Sequence, residues 1–265
     1  RDKAIVKLNT ITPHIGYPEK LPETYTKKII DESLSLVENA QNLAKLSIAH
    51  SWSKWNKPVD RSEWHMPAHM VNAYYDPQQN QIVFPAAILQ APFYSLEQSS
   101  SANYGGIGAV IAHEISHAFD TNGASFDENG SLNNWWQEAD YKAFTERTDK
   151  IVEQFDGLDS YGAKVNGKLT VSENVADLGG VACALEAAKQ DDDFSARDFF
   201  INFATIWRMK ARPEYMQMLA SIDVHAPGKL RTNVTLTNFD DFHEEFDVKA
   251  GDPMWRAPED RVIIW

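Results

Sequence analysis

Residues Gly105 to Asp120 constrain this chain more than any other stretch. Ile107, Ile111, Ile115 and Ala118 recur at helical steps, and Gly106, Val110, His113, Glu114 and His117 form a second stripe beside them. A helix apolar on nearly every side belongs inside a domain. Two imidazoles and a carboxylate in that setting are costly unless they are paired or bound to a metal. His113 and His117 stand four apart, so they project from one helix face and reach a common ion. Neutral imidazoles suit zinc, and Glu114, next to the first His, is placed to act on a zinc-bound water.

Composition narrows the partners. A net charge of −13 over 265 residues disfavours nucleic acid and anionic membrane surfaces. No uncharged apolar run is long enough for a transmembrane helix. Cys183 is the single cysteine and has no internal disulfide partner, which leans toward a cytoplasmic setting, with an extracellular one as the alternative. The chain starts at Arg1 rather than Met and is expected to be part of a longer polypeptide.

Along the chain, residues 1–22 are polar, carry three prolines and read as irregular lead-in structure. The spacing of Ile29, Ile30, Leu34, Leu36, Val37, Ala40, Leu43, Ala44 and Ile48 predicts a long helix over about Tyr25–Trp55. Residues 69–84 read as a hairpin turning at Asp76–Asn80, followed by a short helix opened by Pro85. Helices are expected around Trp136–Phe155, Thr170–Lys189 and Phe194–Lys210, with a short one from Pro213. From Asp223 the chain reads as loop-rich, with a turn at Pro227-Gly228, and the tail Val262–Trp265 is apolar enough to dock. The fold class is therefore α+β, mainly α, with a small antiparallel sheet and no break that forces a second domain.

A hydrolytic zinc keeps three protein ligands and one open position. Glu173 and Asp177, four apart and therefore on one helix face, are the best source of the third. Gly180 and Ala184 continue that face and would let the helix lie close against the one carrying the histidines. Taken alone, Thr170 and Glu173 fit a capping box better, with Glu173 serving only backbone N–H groups. His65 and His69 also stand four apart, but Pro67 between them argues against one helix face. His14, His50 and His243 have no supporting pattern and read as surface residues.

The combination of His113-Glu114-Ile115-Ser116-His117 with Glu173-Asn174-Val175-Ala176-Asp177 resembles the neprilysin family of zinc endopeptidases, whose pattern is HExxH plus ExxxD. Val71–Tyr75, Phe84–Leu89, Asn134–Trp136, Val224–Arg231 and Trp265 match in the same order along the chain. The resemblance implies a thermolysin-like zincin lobe over residues 1–265 holding one Zn²⁺, with Glu173 as third ligand beside His113 and His117. It assigns Asp177 and Asp120 to orienting the two imidazoles. Ligation by Glu173 then overtakes the cap, and both could hold at once. Glu114 becomes the general base and His225 a donor to the oxyanion; Arg231, Asn72 and Ala73 bind substrate backbone. Ile88, Phe93, Val110, Ile206 and Trp207 would form an apolar specificity pocket.

The expected reaction is hydrolysis of short peptides on the amino side of large hydrophobic residues. The family's helical N-terminal lobe is mostly missing here, and residues 1–55 would adjoin it. The alternatives are a catalytically silent zinc-dependent peptide-binding module and an exopeptidase on the same metal helix.

Overall fold

The computed structural model describes residues 1–22 and 24–265. The chain opens not with irregular structure but with helix α1 (Asp2–Asn9) and strand β1 (Thr12–Gly16). What makes α1 fold is a buried anchor with no periodic signature: Lys7 is 1% exposed, and its Nζ donates to the carbonyls of Ala118, Gly123 and Phe126, each at 2.7 Å. The long helix expected from Tyr25 is shorter. A single 3₁₀ turn spans Tyr25–Lys27, and helix α2 (Leu36–Ser53) starts where Ser35 and Glu38 close a reciprocal capping box. Ile29, Ile30, Leu36, Val37 and Ile48, the apolar positions that suggested the longer helix, are exposed rather than core.

Strands β2 (Tyr74–Asp76) and β3 (Gln81–Pro85) form the expected hairpin, Tyr74 facing Val83 and Tyr75 facing Ile82. The sheet is mixed rather than antiparallel, because β1 adds to the other edge of β3 in parallel, in the order β1-β3-β2. β3 is buried along its whole length, as a central strand with covered faces must be. The 3₁₀ turn Ala86–Ile88 follows Pro85 as expected.

The helical stretch that carries His113 and His117 is built in three pieces: α3 (Ser100–Asn103), a wide π-type turn (Tyr104–Gly108) and α4 (Ala109–Ser116). The glycines in the wide turn are there for close approach. A Cβ at Gly105 would lie 2.0 Å from the Phe199 carbonyl oxygen, so only hydrogen lets the turn pass that backbone. One expected apolar position differs: Ile111 is 37% exposed, so the stripe it belongs to faces partly outward.

Helix α5 (Glu138–Phe155) leads through a two-stranded ribbon, β4 (Asp159–Ser160) and β5 (Ala163–Lys164), to the 22-residue helix α6 (Gly167–Ala188). The N-cap of α6 is Asn166, whose side chain accepts from the N–H groups of Lys168 and Leu169. Thr170 is thus inside the helix, its hydroxyl turned back to the Asn166 carbonyl, and the capping-box reading of Glu173 is overturned. α6 is apolar on two sides because it separates two cores. Val175 and Leu178 pack with Phe144, Ile151, Phe155, Val262 and Ile264; Val181, Ala184 and Leu185 pack with Val110, Phe199, Phe200 and Phe242. The tail docks as expected through Val262 and Ile264, and Trp265 stacks on Phe144.

Helices α7 (Ala196–Ile206) and α8 (Pro213–Ile222) follow, α7 capped by Ser195. The stretch beyond Asp223 is not mainly loop. It contains helix α9 (Gly228–Asn233), a 3₁₀ turn (Thr235–Asn238) and helix α10 (Asp240–Glu245), too short for periodicity to register. His243 on α10 is buried, not a surface residue, with Nε2 at 3.0 Å from the Thr237 carbonyl. Among the described residues no helix is long and apolar enough to cross a membrane.

Candidate metal centre

α4 and α6 lie directly against each other, and Gly180 sets the spacing. A Cβ there would lie 2.8 Å from the His113 nitrogen and 2.9 Å from the Ala109 oxygen. With the helices this near, Glu173 Oε2 sits 3.2 Å from His113 Nε2 and 3.4 Å from His117 Nε2. Ligand atoms at zinc-ligand distances of roughly 2.0–2.1 Å in a tetrahedron stand about 3.4 Å apart, so Glu173 Oε2 lies from each imidazole nitrogen at the separation a zinc site requires, and all three ligand atoms fall within 4.8 Å of one another. Among the described residues these three form the one His/Cys/Asp/Glu group that could hold a metal.

The other ring nitrogens are already committed. His113 Nδ1 lies 2.9 Å from Asp177 Oδ1, and His117 Nδ1 lies 2.6 Å from Asp120 Oδ2. Ionised carboxylates only accept, so Nδ1–H donates in each pair and the Nε2 lone pair is left facing the cluster. Glu173 Oε2 is buried and near three imidazole nitrogens, yet has hydrogen-bond geometry to none of them. The charge balance points the same way. Burial opposes charge on both histidines, but Asp177, Asp120 and Glu173 prevail and draw both pKa values upward, so the cluster demands positive charge. Two neutral imidazoles and a carboxylate meeting a divalent ion satisfy that demand, and the residues present fit zinc.

Around this centre the expected residues fall as follows. Glu114 is 5% exposed and lines the cleft; burial pushes its carboxyl above the usual carboxylate range, against the pull of His113 and His117. Arg231, expected in a loop, is on α9 and 6% exposed. Its Nε and Nη2 grip the two Asp177 oxygens at 2.7 Å each, and its guanidinium lies 3.7 Å from the Trp207 ring centroid. Burial alone would raise the Asp177 pKa, but Arg231 and His113 hold it at about 2. Arg231 is therefore tied to the acid behind His113 as well as lining the cleft.

His225 Nε2 is 3.1 Å from Glu173 Oε2, and its Nδ1 is 2.9 Å from Asp223 Oδ1. Asn72 and Ala73 line the cleft but precede β2 rather than belonging to it, and the Ala73 N–H is taken by the Asn72 side chain at 3.0 Å.

Ile88, Phe93, Val110 and Trp207 line the apolar end of the cleft as expected. Ile206 does not: it is a core residue, 8% exposed, and Phe203 lines the wall instead. Phe203 and Trp207 stand four apart at the end of α7 and share a face, a signal available in the sequence, whereas Ile206 turns inward. Asp223 had a weaker signal, an acid two residues before a histidine. Ser172 had none; its Oγ donates to Asp120 Oδ2 at 2.5 Å. His65 pairs with Asp76 at 3.0 Å and stays outside the centre, as does His69. The whole cleft holds about 450 Å³, room for several residues of an extended peptide.

The chain is similar to several known proteins. The chain is 58% identical over its full length to a neutral endopeptidase of Lactococcus lactis, of which it covers 42%. Over 199 residues it is 78% identical to a Streptococcus gordonii protein described as a zinc metalloproteinase, matching 75% of this chain and 35% of that protein. Among solved structures, PepO from Lactobacillus rhamnosis superposes with a TM-score of 0.93 at 44% identity, covering all of this chain and 42% of that one. The zinc metalloprotease of Mycobacterium tuberculosis in complex with an inhibitor matches at 0.93 and 38% identity. The chain thus spans about two fifths of the length of the relatives it matches from end to end. Residues 72–262 match the profile of Peptidase family M13, a range that includes every expected site residue, and the chain belongs to that family of zinc metallopeptidases.

Proposed function

We propose that the chain is the catalytic lobe of a zinc endopeptidase that cleaves oligopeptides on the amino side of large hydrophobic residues. The observation that carries this reading is the convergence of His113, His117 and Glu173 on one point in a cleft that Glu114 also lines. One zinc ion is expected, because one donor set is present among the described residues. What zinc supplies when bound is Lewis acidity, lowering the pKa of water toward about 7 and polarising the scissile carbonyl.

The chain's own residues do the rest. The Glu114 carboxylate accepts the proton of the attacking water and delivers it to the leaving amine. Burial favours that transfer, since a carboxylate with a raised pKa is the stronger base. Burial lowers the His225 pKa, but Glu173 and Asp223 draw it upward, so the ring can act as an imidazolium whose Nδ1–H donates to Asp223 and whose Nε2–H would donate to the oxyanion. Arg231 holds Asp177, and Asp177 holds His113 in the tautomer that leaves Nε2 free. Asn72 and Ala73 lie between the edge strand β2 and the cleft, and the Asn72 amide and the Ala73 carbonyl would pair with substrate backbone, the Ala73 N–H being taken by Asn72. Ile88, Phe93, Val110, Phe203 and Trp207 supply the apolar wall that selects a large side chain.

The exposed apolar residues of α2 and its flank, Leu36, Trp52 and Trp55 among them, are where the remainder of a longer polypeptide would dock. Glu114→Gln tests the chemistry. Peptide hydrolysis should fall by roughly 10²–10⁴-fold while zinc content and peptide binding persist. Turnover that survives the substitution would remove Glu114 as the base and leave a different mechanism to be found.

A further inference from the structure

We propose that Lys7 is a positioning residue of the metal centre: its ammonium clamps the 118–126 turn, and that turn carries the carboxylate that orients His117. The proposal rests on the reading of His117 as a zinc ligand. Its basis is a chain of contacts with no slack. All three N–H bonds of the ammonium are used, at 2.7 Å each, on the carbonyls of Ala118, Gly123 and Phe126. Tyr75, Phe119 and Trp135 surround the nitrogen with ring centroids at 5.8–5.9 Å.

The Gly123 residue joins the two halves of the device: its carbonyl accepts from Lys7, and its N–H donates to Asp120 Oδ1 at 2.7 Å. Asn122 N–H supports the same oxygen at 2.8 Å, while Asp120 Oδ2 faces His117 Nδ1 at 2.6 Å and Ser172 Oγ at 2.5 Å. A turn that drifts at residue 123 therefore drags the carboxylate, and with it the imidazole.

Lys7 is itself fixed from the far side. Its helix leads into β1, which pairs with β3, and Asn80 Nδ2 donates to the Lys7 carbonyl at 3.2 Å. A buried ammonium is costly, and an apolar side chain of the same length could fill the space. What an apolar side chain cannot do is draw three carbonyls of one turn to a single point. The sequence alone gives no hint of this, since Lys7 lies more than a hundred residues from the turn it holds.

The test uses the full-length zinc-loaded protein with Lys7→Met, Lys7→Arg, the exposed control Lys3→Met and His117→Ala. Zinc release into excess chelator is timed, and the visible spectrum of the cobalt-substituted protein reports ligand geometry. Lys7→Met should release zinc at least about tenfold faster, in the range seen when groups supporting metal ligands are lost, and should alter the cobalt spectrum. kcat should fall more than KM rises. Lys7→Arg keeps the charge, but a planar guanidinium cannot aim three N–H bonds at one tripod of carbonyls, so its release rate should lie between wild type and Lys7→Met. If Lys7→Met does not fold, Lys7→Arg decides by the same readouts.

Release rates and cobalt spectra like those of Lys3→Met, even with lower melting stability, would overturn the proposal and leave Lys7 a fold anchor only. His117→Ala keeps the two readings apart. If it retains zinc as wild type does, the ligand assignment fails; if it loses zinc while the Lys7 variants do not, only the Lys7 proposal fails.

Discussion

Substituting Gly180 by alanine should weaken the metal site from about two helical turns away. The added Cβ would sit 2.8 Å from the His113 nitrogen and 2.9 Å from the Ala109 oxygen, both backbone atoms of α4. Ordinary heavy-atom contact is about 3.5 Å, so the two helices must part by roughly 0.6 Å. Glu173 on α6 now faces His113 and His117 across 3.2 and 3.4 Å, and a rigid withdrawal would open those gaps to about 4 Å. Metal sites tolerate about 0.2 Å in ligand distance. Zinc affinity should therefore drop by about tenfold or more, of the order seen when the groups around a site are disturbed.

Overpacking should cost about 1–3 kcal/mol, offset by up to about 1 kcal/mol from the better helix propensity of alanine. Gly179→Ala is the matched control. Its Cβ would meet the Trp265 indole and the Ser116 hydroxyl, side-chain atoms rather than the α4 backbone, so it overpacks the same helix without prying α4 from α6 at the backbone. Competition with a chromophoric chelator measures affinity, and urea unfolding of the zinc-free protein measures stability. If Gly180→Ala binds zinc within threefold of wild type while being more stable, helix spacing does not set the geometry of the site.

Two further perturbations separate roles that proximity alone confounds. Arg231→Met strips a bidentate partner from the buried Asp177 and should destabilise the protein by about 3–5 kcal/mol in urea unfolding, with zinc affinity falling as His113 loses its fixed orientation; a loss under 1 kcal/mol would show that the pair contributes little. Phe203→Ala should lower kcat/KM for peptides with Phe or Leu after the scissile bond by about 10–100-fold relative to a small residue there. Ile206→Ala should instead cost about 2–5 kcal/mol of stability with that preference unchanged, since Ile206 faces the core; the opposite pattern would restore Ile206 to the pocket.

The centre of the site was legible from residue chemistry. His113, Glu114 and His117 announce themselves because i,i+4 spacing on an apolar helix has few uses, and Gly180 and Ala184 signalled a close helix neighbour. The role of Glu173 was not decidable from local pattern, because Thr170 and Glu173 satisfy the capping spacing; the position of Asn166 as the true cap removes that reading. Pairings between residues distant in sequence stayed invisible. Lys7 binds carbonyls beyond residue 117, and Arg231 pairs with an acid 54 residues earlier. The apolar run before α2 looked helical because exposed hydrophobics carry the same periodic signal as buried ones. The helices after Asp223 are six residues or fewer, less than two turns, so no stripe can form on them.

The claim on which all of this depends is that His113, His117 and Glu173 hold one zinc ion. Anomalous diffraction from crystals of the zinc-loaded protein, collected on either side of the zinc absorption edge, tests it most directly. One peak is expected, bounded by His113 Nε2, His117 Nε2 and a Glu173 carboxylate oxygen, and it should vanish in Glu173→Ala crystals. A peak at any other donor set, or none in protein that hydrolyses peptides, would contradict the account.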